Sequence, residues 1–80
     1  MATVTFYTKP GCHLCDEAKD VLLRVRRDEP FDLVEVNIRT DAALYAEYGE
    51  RIPVVSLNGQ EVFEFKVHEA RLRELLKEVK

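Results

Sequence analysis

No run in this chain approaches the roughly 18 apolar residues that a membrane span needs, and no low-complexity stretch points to disorder. The first residues enter a strand-like segment without the charged start and apolar core of about 7–15 residues that mark a secretory signal, so no export is expected. Basic residues are in the minority, twelve Lys and Arg against fifteen Asp and Glu, and a net charge of −3 argues against a nucleic-acid partner. No phosphate loop, paired carboxylates or Ser-His-Asp set stands out. Cysteine is scarce: two residues are too few for the framework of a disulfide-stapled secreted domain. A reducing, cytoplasmic setting is the expectation, with neither nucleic acid nor membrane as partner.

What is present is concentrated in Cys12-His13-Leu14-Cys15, which holds both cysteines, two residues apart, at the start of a helical pattern. Thiols one helical turn apart can close a small disulfide and reopen it, and Cys-x-x-Cys beside a strand–helix–strand pattern reads as a thioredoxin-like redox motif. Eighty residues make one domain, 1–80, with a modest core, and a monomer is expected.

The pattern along the chain supports that frame. Thr3–Thr8 alternates as a strand, Lys9-Pro10-Gly11 breaks it, and Leu14, Ala18, Val21, Leu22 and Val25 recur at helical spacing over residues 13–27. Asp28-Glu29-Pro30 ends that helix. Phe31–Ile38 reads as a second strand, with Leu33 or Val34, Val36 and Ile38 feeding the core, and the strand–helix–strand unit implies parallel pairing. Thr40 or Asp41 can cap a short helix that runs through Tyr48 to Gly49. Pro53–Leu57 and Glu61–Phe65 flank Asn58-Gly59, a tight hairpin turn. Phe63 and Phe65 alternate as on a strand with one buried face. A last helix starts near Val67 or His68 and buries Leu72, Leu75, Leu76 and Val79. The order is β-α-β-α-β-β-α: an α/β fold with a four-stranded mixed sheet flanked by helices.

The thiolate is the nucleophile of thiol chemistry, so a redox cysteine needs its proton held loosely. If Cys12 caps the helix, the amides of Leu14 and Cys15 face its sulfur and the positive helix end favours the anion. Lys9 and a protonated His13 add positive charge nearby, while Asp16 and Glu17 oppose it; a lowered Cys12 pKa is expected. Cys15, one turn inside, suits a buried resolving thiol. His68 reads as a cap or surface residue.

Three other readings of the pair stand beside this one. Both cysteines can be inert core residues, or the pair can be vestigial in an adaptor of the same fold. Cys-x-x-Cys is also half of a zinc site and can hold Cu(I), so a metal-binding module for Cu(I), zinc or an iron–sulfur cluster is the alternative function. No second cysteine pair supplies the remaining ligands, and no resident metal is expected.

The decapeptide Lys9-Pro10-Gly11-Cys12-His13-Leu14-Cys15-Asp16-Glu17-Ala18, together with Arg51-Ile52-Pro53-Val54, resembles the small bacterial glutaredoxin-like proteins of the thioredoxin-fold superfamily. The resemblance spans essentially the whole chain and implies a minimal thioredoxin fold. It implies that Pro53 is cis and faces the cysteine pair, turning the Ile52 backbone toward a bound peptide or glutathione. Lys9 matches the lysine that favours the thiolate and meets a glutathione carboxylate. The resemblance thus implies a thiol–disulfide oxidoreductase with Cys12 and Cys15 catalytic and Lys9, His13, Arg51, Ile52 and Pro53 binding substrate. Its substrate would be a protein disulfide or a glutathione-mixed disulfide; glutathione is a candidate reductant or co-substrate, and a thioredoxin-type reductase a candidate partner. Two features depart from the pattern. Phe65-Lys66-Val67-His68 stands where glutaredoxins carry a Gly-Gly pair, and Cys-His-Leu-Cys replaces Cys-Pro-Tyr-Cys.

Overall fold

In the computed structural model, which describes residues 2–79, strand β1 (Thr3–Thr8) is followed by helix α1 (His13–Asp28), strand β2 (Asp32–Asn37) and a single 3₁₀ turn (Ile38–Thr40). Helix α2 (Ala42–Tyr48), strands β3 (Val54–Leu57) and β4 (Gln60–Glu64) and helix α3 (Glu69–Glu78) complete it. The sheet order is β2-β1-β3-β4, with β1 parallel to β2 and antiparallel to β3, and β3 antiparallel to β4. This is the expected mixed sheet and element order.

Alternation along β1 sorts its side chains onto two faces. Val4, Phe6 and Thr8 are buried beneath α1, whose own buried stripe is Cys15, Ala18, Leu22 and Val25. Tyr7 lies on the other face and stacks on Tyr48 of α2, ring centroids 4.2 Å apart. The sheet is thus covered on both sides. Central strand β3 is buried along its whole length, Ser56 included, so it carries no polar–apolar alternation.

The Asn58-Gly59 turn carries positive φ at both residues, 52° and 88°, as a tight hairpin requires. Asp41 caps α2 through the amides of Ala43 and Leu44, resolving the choice between Thr40 and Asp41. His68 is the N-cap residue of α3, exposed and without a side-chain cap bond.

Several expectations from periodicity are corrected. Leu14 and Val79 are 48% and 42% exposed, Leu14 in the first turn of α1 and Val79 as the C-cap residue just past α3. Val34 is exposed and Val36 half-buried, so Leu33 is the β2 residue that joins the core. The second strand is shorter than expected: Phe31 and Ile38 are buried just beyond its ends. Pro53 precedes β3 rather than opening it. Phe65 leaves β4 altogether: its φ of +67° turns the ring outward to 47% exposure while Phe63 stays buried. A bulky residue in the left-handed region is uncommon. Its amide is held by the Pro53 carbonyl at 2.8 Å.

Candidate functional site

Lys9-Pro10-Gly11 carries the chain from the end of β1 to α1, with Gly11 at φ +78° making the reversal. Cys12 follows as the N-cap residue, in extended conformation. Its sulfur does what a capping oxygen usually does and accepts the amide of Cys15 at 3.2 Å. Both thiols are free, Cys12 half-buried and Cys15 only 3% exposed. The helix begins with Asp16 in its first turn and ends with Arg26 and Arg27, charges that match its dipole.

Burial pushes the Cys15 thiol above its ordinary pKa, and a hydrogen bond with Cys12 adds to the rise. Hydrogen bonds from Thr8 and from the Lys9 backbone work in the opposite direction. The pair is therefore asymmetric: one accessible sulfur at a helix N-terminus, and one buried sulfur that keeps its proton.

A polar cavity of about 180 Å³ opens beside Cys15, lined by Thr8, Lys9, Asp16, Lys19, Glu35 and Asn37 among others. Lys19 and Glu35 pair across it at 3.1 Å. On the other side of the motif, Leu14, Val21, Phe65 and Val67 wall a narrow groove of about 50 Å³.

The residues singled out from sequence fall into four groups. Cys12 meets Cys15 through the Cys15 amide, Lys9 walls the same cavity as Cys15, and the Lys9 ammonium also lies 5.8 Å from the centroid of the Tyr45 ring. His13 opens α1 and is exposed. The Ile52–Pro53 bond is cis and both residues are buried. Because Tyr7 pairs with Val54, Pro53 stands at the end of the sheet where β1 gives way to the Cys12 loop. Arg51 is engaged elsewhere. Its guanidinium bridges Glu47, Glu61 and Glu64 at 3.1–3.2 Å and lies over the Tyr48 ring.

Thr8 was not singled out, although strand alternation already places it on the inward row with Val4 and Phe6. Among the described residues, no three His, Cys, Asp or Glu side chains group as metal ligands would. The same residues hold no helix long and apolar enough to cross a membrane.

Residues 3–77 match the family described as Glutaredoxin-like domain (DUF836). The uncharacterized protein Rv0508 of Mycobacterium tuberculosis is 33% identical over 75 residues, 88% of this chain and 77% of that protein. The X-ray structure of target protein XcR50 from X. campestris superposes with a TM-score of 0.78 at 36% identity, covering 94% of this chain and 96% of that one. A thioredoxin from Halobacterium salinarum shares the fold, with a TM-score of 0.71 at 20% identity over 96% of this chain and 73% of its own.

Proposed function

The chain belongs to the glutaredoxin-like domain family, and from that membership we propose that it is a thiol–disulfide oxidoreductase working through Cys12 and Cys15. The observation that carries this reading is the capped sulfur: Cys12 Sγ accepts the Cys15 amide at the N-terminus of α1. That position favours negative charge on sulfur.

The Cys12 thiolate attacks one sulfur of a substrate disulfide, and the other sulfur leaves as a thiolate and takes up a proton. Cys15 then gives up its proton and attacks Cys12 Sγ; the substrate's remaining sulfur leaves. Two electrons have passed to the substrate, and the chain holds a Cys12–Cys15 disulfide. Glutathione or a thioredoxin-type reductase returns the electrons. Lys9, His13, Ile52 and Pro53 are the groups proposed to meet the substrate around Cys12. The exposed faces of Leu14 and Phe65 favour a polypeptide disulfide, since they offer apolar surface beside the motif. A cytoplasmic monomer is the working setting.

An equilibrium redox titration of the metal-free protein against glutathione buffers, following Cys12 alkylation by mass, tests the reading. A reversible two-electron transition between about −300 and −120 mV, the span of working dithiol carriers, is the expected result. A chain that forms no reversible disulfide is not such an enzyme.

A further inference from the structure

The resolving step poses a question of its own: Cys15 must ionise to attack, yet burial works against the anion. What faces its sulfur therefore matters. β1 runs toward the Cys12 loop and α1 returns above it, so the inward row Val4, Phe6, Thr8 meets the α1 stripe in reverse order. Thr8, at the end of β1, lies under Cys15, at the start of α1. Both are buried, 9% and 3% exposed, and both wall the cavity beside the motif.

Threonine is an unexpected choice there. Valine has nearly the same shape, brings no hydroxyl to satisfy, and occupies the equivalent inward position at residue 4. Among the described residues no buried side-chain oxygen is left without a partner. Thr8 and Cys15 wall the same small cavity, and the Thr8 hydroxyl and the Lys9 backbone both favour the ionised form of the Cys15 thiol.

We propose that Thr8 is a positioning residue for the resolving thiol, its hydroxyl and the Lys9 amide holding the Cys15 sulfur and stabilising it once the proton has left. The inference rests on the oxidoreductase reading above. In the step it serves, the Cys15 proton passes to water in the cavity, which has room for several molecules at about 30 Å³ each. The Cys15 sulfur then bonds to Cys12 Sγ, and the bond between Cys12 and the substrate sulfur breaks. The other titratable groups around Cys15 are Cys12 at the N-cap, Asp16 and Lys19 on α1, Lys9 on the loop and Glu35 on β2. None is altered by a change at residue 8.

The test is the pH dependence of Cys15 alkylation in a Cys12→Ser background, followed by mass. Thr8→Val should move the midpoint upward by about half to one pH unit, the effect of one ordinary hydrogen bond. Thr8→Ser, which restores the hydroxyl, should return it. Thr8→Ala serves as a second hydroxyl-free variant and should show the same rise. In a Cys15→Ser background, the Cys12 alkylation profile should be unmoved by Thr8→Val. An unshifted Cys15 midpoint in either hydroxyl-free variant overturns the proposal, as does an equal shift at Cys12. Alkylation reads the sulfur itself, so a wild-type chain that captured no disulfide substrate would sink the oxidoreductase reading and leave this measurement intact.

Discussion

The amide of Cys15 donates to the sulfur of Cys12 across 3.2 Å, so the second cysteine of the motif holds the first. The same residue thereby has two parts: its backbone steadies the Cys12 sulfur, and its own thiol is buried. This division of labour predicts different outcomes for the two serine variants.

Cys12→Ser should abolish disulfide turnover, because the accessible sulfur is gone. Cys15→Ser keeps the backbone amide and should still allow attack, but it should trap mixed disulfides between Cys12 and the substrate. Mass analysis after incubation with a disulfide peptide distinguishes the two. Complete loss of covalent capture in both variants would contradict the assigned roles.

Stability should depend on pH through Cys15. Its folded pKa lies above the ordinary thiol value, so its contribution is fully present below about pH 8.5. As pH rises toward the folded pKa, the unfolded chain releases its proton first and the native state loses ground. Denaturant midpoints of the reduced protein should fall above about pH 8.5, by at most about 1.4 kcal/mol per pH unit from this group. Cys15→Ala should flatten that slope. Tyr48 adds to the decline at higher pH, since burial first and its hydrogen bond with Tyr7 second raise its phenol.

Gly49→Ala should destabilise although the backbone there is right-handed, with φ −53°. Replacing glycine at such an angle usually helps by restricting the unfolded chain. Here an added Cβ would lie 2.5 Å from the Tyr45 carbonyl oxygen. Backbone cannot step aside as a flexible side chain can, so a loss of about 1–3 kcal/mol is expected. Chemical denaturation of the variant reads it directly.

Gly49 also shows where the sequence stops being legible. Its place as a helix stop was readable, but its reason, contact with Tyr45, depends on how the chain leaves α2. Local signals served well elsewhere. The alternation of Thr3–Thr8, the Asn58-Gly59 turn and the stripe Ala18, Leu22, Val25 each involve only near neighbours, and each reappears in the fold. Exposure at helix ends was not readable: Leu14 and Val79 continue their periodic stripes, yet both stay largely exposed. Nor could periodicity show Phe65 leaving its strand, since that turn depends on the Pro53 carbonyl, distant in sequence. At the candidate site, the cysteine pair was visible as a motif, whereas alternation put Thr8 only on the inward row, and the layering of α1 over β1 set it beside Cys15.

Arg51 gives the last prediction, because sequence resemblance and structure offer it different work. The resemblance puts it at the substrate. In the structure its fork joins Glu47 on α2 to Glu61 and Glu64 on β4, beside the stacked pair Tyr48 and Tyr7. Those carboxylates raise its pKa further, the hydrogen bond to Glu61 most of all. Removing the cation in Arg51→Met would leave three carboxylates facing one another with nothing between them. The thermal midpoint should fall, and fall most at low ionic strength, since at about 1 M salt the screening length shrinks to about 3 Å. Arg51→Lys should recover only part of the loss, because an ammonium cannot span several carboxylates as a planar fork does. If the cluster's role is to fix α2 against the β3–β4 hairpin, disulfide turnover per folded molecule should hardly change. A rise in KM with an unmoved midpoint would instead place Arg51 at the substrate, and its carboxylate partners would then have to give way when substrate binds.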